Sequence, residues 1–387
     1  MAYYFLFPEK DTTLYSHPDR IYSNTGKDEI IELAKEKSVV TGLYYPSRIL
    51  VKFKNEELKT VIRDVVGSTK FNNGNAQVSL QLMASEHKSL TQILNIETFP
   101  VSQSWMQGSD KYLDIKQGIT SSNGASWRYT DDTNYRTEWT TASFGNASTG
   151  SINSNTIQEG GGTWYTGSEF TATQQFLDGD KLDTDLDVTS IVQKHSASIF
   201  VSETYPNGIY NNGFIIKKPN SIELSTVTSF GEMKYFSSNT HTIYPPRLAF
   251  KWDDSNHSYQ SSAKQSGELN VSLYRNKEQY NQNDEATFRV HVRDKYPVRQ
   301  FTSSSNYLQT GYLTTGSYYS IRDAATEEEV IPFDTTYTKL SADANGMYFK
   351  IYMQGLQPER YYRLLFKHIN RDGTLVYDNK FHFKVVR

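Results

Sequence analysis

The chain has 387 residues, enough for two domains, with 40 basic and 43 acidic side chains and a formal net charge of −3. No block of one sign stands out, so no nucleic-acid footprint is expected. The absence of cysteine excludes disulfide scaffolds, thiolate metal sites and cysteine nucleophiles. The hydrophobic fraction is only 37%, but 28 Tyr and 20 Phe argue against disorder, because disordered chains are poor in aromatics. Aromatic and β-branched residues favour pleated, half-buried surfaces, so short strands joined by polar loops are expected.

Residues 2–7 read as a first strand and not as a secretion signal, since no basic segment precedes them and no small-residue cleavage site follows. No run reaches the roughly 18–20 apolar residues of a membrane-spanning helix. Asp11–Tyr15 reads as a second short strand or a turn, and residues 27–35 fit either a helical or a strand period. Ser47–Phe53 is a strand with Ile49, Val51 and Phe53 on one face. Leu58, Val61, Ile62 and Val65 have the spacing of one short helix, and Ala76–Met83 alternates as a strand does.

Residues 102–182 form a long polar region in which Trp105, Trp127, Trp139 and Trp164 sit among Gly, Ser, Thr and Asn. Three roles suit large flat rings that each keep one N–H donor. They pin irregular loops to a sandwich, form an aromatic platform that binds carbohydrate, or sit in protein interfaces. Leu186–His195, Asn211–Lys217, Met233–Asn239 and Pro245–Trp252 read as the closing strands of this β-sandwich. The first domain is thus expected at 1–254, with a loop insertion near 110–180.

Residues 255–267 are polar with little to bury and read as a linker. Beyond them the alternation restarts, at 269–273, 287–293, 318–323, 348–353, 361–367 and 381–386. Asp343–Gly346 and Asn370–Gly373 have the residues that hairpin turns require. About seven short strands over 268–387 fit an immunoglobulin-like or fibronectin-like sandwich. The predicted fold is therefore all-β, with two β-sandwich domains.

Few residues suggest chemistry. Asp178–Asp187 holds five carboxylates in ten residues. Calcium takes about six to eight oxygen ligands, so Asp178, Asp180 and Asp183 are the candidates for a structural Ca²⁺ site; the alternative is a solvated acidic turn. The eight histidines are dispersed without metalloprotease spacing, and no nucleophile elbow or P-loop is present. His291, His368 and His382 read as solvent-facing strand residues. Arg48 and Arg247, at the edges of core strands, are expected to pair with Asp187 or with backbone carbonyls. No catalytic residue is assigned, and the chain is read as a non-enzyme.

The order of features resembles the DNRLRE-type domain, a jelly-roll-like β-sandwich related to carbohydrate-binding modules. The resemblance covers about residues 2–252 and is carried by Arg48–Phe53, Ala76–Leu82, Ser104–Gly108, Asp187–Gln193, Asn211–Lys217, Phe236–Thr240 and Pro245–Phe250. Paired with a Tyr-rich C-terminal sandwich, it also resembles structural proteins of large contractile-tailed bacteriophages. That resemblance implies a virion component of tail, baseplate or neck, assembled in the host cytoplasm. Its partners would be other virion proteins and further copies of itself in a symmetric oligomer, with no nucleic acid and no membrane. The alternative it implies is glycan binding or adhesion at a host surface.

Overall fold

The structure, a computed structural model, describes residues 2–40, 42–112, 123–133, 136–140, 147–149, 160–199, 208–223, 225, 230–274, 276–298 and 310–387. Much of the expected 110–180 insertion lies outside these residues. The chain is all-β and of sandwich type. It divides into two compact units, residues 6–249, and residues 250–387 together with 1–5. The division falls inside the strands Ala2–Leu6 and Arg247–Trp252, not after residue 254.

In the first unit, one antiparallel sheet runs in the order 172–177, 93–100, 214–217, 44–52, 30–37, 231–236, 84–88, and strand 10–15 also pairs with 44–52. The 30–37 segment, open to either period in the sequence, is a strand because it pairs along Gly231–Phe236. Strands 93–100 and 172–177 lie in stretches for which the sequence predicted none. The strand Ala84–Lys88, at one edge of this order, carries Glu86 and Lys88, charges that discourage pairing with another chain.

One predicted strand is a helix. Leu186–Asp187 pairs for two residues with Ala76–Gln81, and Thr189–Ile199 then forms three turns. Asp187 starts it: its Oδ1 accepts from Thr189 N–H at 3.0 Å and from the Thr189 hydroxyl at 2.6 Å. Val188, Ile191, Val192 and His195 are all buried, the i, i+3, i+4, i+7 spacing of a helix face. A run rich in β-branched residues masked that period.

The second unit is a two-sheet sandwich. One sheet has the order 269–274, 285–294, 346–352, 341–343; the other has 279–281, 373–386, 360–370, 317–323, 329–331. In chain order this is A-B-E-D facing A′-G-F-C-C′, the immunoglobulin arrangement. Both predicted hairpins form, with Asp343 opposite Gly346 and Asn370 opposite Gly373. Between the sheets lies an aromatic core: the Tyr319 and Phe349 rings stack at 4.5 Å, and Phe288 lies 5.3 Å from both Phe349 and Phe383. Tyr362, near the start of strand 360–370, donates its hydroxyl proton to the Gln357 carbonyl at 2.9 Å, the tyrosine corner of immunoglobulin sandwiches.

Two expectations are corrected in this unit. The 255–267 segment is no free tether. Ala263–Lys264 pairs with Tyr312–Leu313, the rings of Tyr259 and Tyr312 stack at 4.6 Å, and a His257 ring nitrogen lies 2.8 Å from the Leu313 carbonyl oxygen. His368 is fully buried, not solvent-facing, because it shares its sheet face with core Phe366. Burial lowers its pKa.

Candidate functional site

The sugar platform expected from Trp105, Trp127, Trp139 and Trp164 does not lie at the surface. The four side chains are 2%, 0%, 4% and 3% exposed and share one apolar cluster with Leu14, Leu50, Phe99 and Ile215. Trp105 donates Nε1–H to the Asn212 carbonyl at 2.8 Å, and Trp139 to that of Ser126 at 2.9 Å. Each indole thus anchors an irregular segment while its ring is buried, and no face is left for a sugar to stack on.

The acidic run does not converge either. Asp180 Oδ2 accepts from its neighbour Leu177 N–H at 2.8 Å, and Asp183 Oδ1 from Ala84 N–H at 2.8 Å, while Asp178 is exposed. Among the described residues no group of three or more His, Asp or Glu side chains is placed to hold a metal ion.

The concentration of charge that the structure does build lies beneath the tryptophans. Arg48, on strand 44–52, forks onto Glu223 with Nε 3.2 Å from each carboxylate oxygen and Nη2 2.5 Å from Oε2, and neither side chain is exposed. Its Nη1 donates to the Gly161 carbonyl at 2.8 Å, and its guanidinium lies 4.6 Å from the Trp127 ring and 5.2 Å from that of Trp164. Gly161 has φ +77°, and a Cβ there would sit 2.6 Å from both Arg48 Nη1 and the Trp127 ring. Only glycine lets the main chain come this close.

Lys217 enters from the neighbouring strand, where the register sets it opposite Glu97. Its Nζ lies 3.6 Å from Glu223 Oε2 and 3.8 Å from Glu97 Oε2, and donates to the Lys218 carbonyl at 2.6 Å and to Asn220 Oδ1 at 2.9 Å. Burial lowers the Lys217 pKa, opposed by Glu223, and burial raises that of Glu97, opposed by Lys217. Two further lysines tie down the same connection. Lys35 donates to the carbonyls of Ile222 and Ser225, and Lys218 to those of Phe230 and Gly231. Burial brings Lys35 down to about 8.

Arg48 therefore pairs with Glu223 and a carbonyl, and Arg247 with Gln81 Oε1 at 2.8 Å, while Asp187 caps a helix. Sequence reasoning did not find Glu223, Lys217 or Glu97, because their pairing depends on register and on a four-residue helix, Asn220–Glu223, that no periodicity announces. Arg48, Lys217 and Glu223 are buried, while Glu97 and Asn220 reach the surface at the edge of the cluster. At the tip of the hairpin between strands 30–37 and 44–52, Val39 and Val40 are 101% and 91% exposed. Among the described residues no helix is long and apolar enough to cross a membrane. No protein-family model matches the chain, and no curated protein matches it.

Proposed function

We propose that this chain is a non-enzymatic virion structural protein of a tailed bacteriophage, a tail, baseplate or neck component that acts through subunit–subunit contacts. The observation that favours contact over chemistry is the Val39–Val40 tip. Ser38 N–H donates to the Leu43 carbonyl at 2.8 Å and Gly42 N–H to the Ser38 carbonyl at 2.9 Å, so hydrogen bonds join the two flanks of the tip. Two adjacent valines offered to water in this way gain about 1.5 kcal/mol or more each when a neighbouring surface covers them. The Arg48–Glu223 pair and Lys217 are buried in the core, away from any substrate. Placement in a phage particle rests on the sequence resemblance. Its partners would be other virion proteins and copies of itself. Host-glycan attachment through the four tryptophans is disfavoured because no indole face is exposed.

Mass spectrometry of purified particles from a culture carrying the gene tests the proposal. The protein is expected at stoichiometric copy number, and a Val39→Lys, Val40→Lys double variant is expected to fold normally yet be lost from particles. Absence of the unaltered chain from particles would overturn the proposal, and so would full incorporation of the double variant.

A further inference from the structure

We propose that Lys217 and Asn220 are placed to form an intramolecular isopeptide bond, joining the lysine Nζ to the asparagine Cγ with loss of ammonia. Four features of the structure converge on this pair. The amine and the carboxamide are already in contact, Nζ to Oδ1 at 2.9 Å. Pro219 stands between them with its backbone φ fixed, which restricts how far Asn220 swings from Lys217. The Lys217 side chain is 1% exposed, so water does not compete for Nζ. Two carboxylates lie within 4 Å of Nζ, and they differ: Glu223 is held by the Arg48 fork, whereas Glu97 pairs with no arginine among the described residues and is a quarter exposed.

That difference assigns the roles. Glu97 takes a proton from the Lys217 ammonium, and the local net charge is unchanged, since Arg48 and Glu223 remain as the ion pair. Burial favours this neutral pair, because it lowers the lysine and raises the glutamate. The freed lone pair attacks Asn220 Cγ and a C–N bond forms. The carboxyl relays the proton lost by the attacking nitrogen to the departing Nδ2, the Cγ–Nδ2 bond breaks and ammonia leaves. One amide is exchanged for another, with no oxidant, reductant or co-reactant. Asn220 is exposed at the surface, which gives the ammonia a way out.

The experiment is intact-mass and tryptic-peptide analysis of the full chain, fresh and after incubation at mildly alkaline pH. The expected result is a mass lower by one ammonia, mapped to a peptide in which cleavage after Lys217 is blocked. After denaturation its ε-amine is inert to an amine-reactive label. An Asn220→Ala variant, altered only at an exposed position, should keep the full mass and label at Lys217; Glu97→Gln should slow the loss. Asn–Gly steps such as Asn345–Gly346 also lose ammonia on cyclising, but water reopens that product. A full mass with Lys217 cleaved and labelled would overturn the proposal, as would an ammonia loss that maps elsewhere or persists in Asn220→Ala.

Discussion

Arg48 and Glu223 are 175 residues apart in sequence and meet as a forked ion pair with both side chains fully buried. A buried pair contributes little over an apolar pair of the same shape, but removing one partner strands the other charge. Glu223→Gln and Arg48→Met should each destabilise the first unit by about 3–5 kcal/mol. The Arg48→Met, Glu223→Leu double variant should lose much less than the sum. Urea unfolding followed by tryptophan fluorescence would measure all three, and additive losses would mean that the pair is not coupled.

Gly161 shows how tightly the main chain wraps that guanidinium. Gly161→Ala puts a methyl group where Arg48 and Trp127 already sit, at a backbone angle that alanine resists. A loss of about 2–4 kcal/mol is expected. Alanine at Gly179, which has a positive φ but open space, should lose only the backbone share. Paired thermal melts of the two variants separate crowding from strain.

Acid stability should show two opposed titrations in the first unit. Asp11 is buried with both carboxylate oxygens on Ser238, and burial lifts it to about 6. The folded state then binds more protons than the unfolded chain, so this group's contribution falls as pH rises from about 4 to 6 and is constant above. His195 is buried against Phe214, and burial pushes it down to about 4, so its contribution falls as pH drops from about 6.5 to 4. Each is on the order of 3 kcal/mol across its window, and the two nearly cancel. Relative to the unaltered chain, Asp11→Asn should lose stability on acidification through this window, and His195→Leu should gain it. Unfolding free energies at pH 4.5 and 7 (about the ends of the window) check both signs.

The tyrosine corner offers a test confined to the second unit. Tyr362→Phe keeps the ring against Phe383 and deletes only the hydroxyl bonded to Gln357. A loss of about 1–1.5 kcal/mol is expected, together with the cost of an unpaired carbonyl if water cannot reach it. Hydrogen exchange should show the change in strands 317–323, 360–370 and 373–386, with strands 30–37 and 44–52 unaffected.

All five tryptophans are at most 4% exposed. Their fluorescence should therefore be blue-shifted and weakly quenched by iodide, and adding soluble glycans should leave it unchanged. Strong quenching relieved by a glycan would restore the platform.

Alternation at 269–273, 287–293 and 348–353, together with the Asn-Gly and Asp-Gly turns, was enough to read the second sandwich from sequence. A strand with one buried face must alternate, and tight hairpins need residues that tolerate positive φ. The same local logic found strand 44–52 and the helix at 55–66. It failed at Thr189–Ile199, where β-branched residues suit either structure and the capping bond from Asp187 tipped the balance. It also could not locate the polar interior. Arg48, Glu97, Lys217 and Glu223 carry no spacing signal, since strand register and a single helical turn bring them together. Composition alone said that the tryptophans were valuable; only packing decided that they face inward, because the loops that carry them have little else apolar to bury.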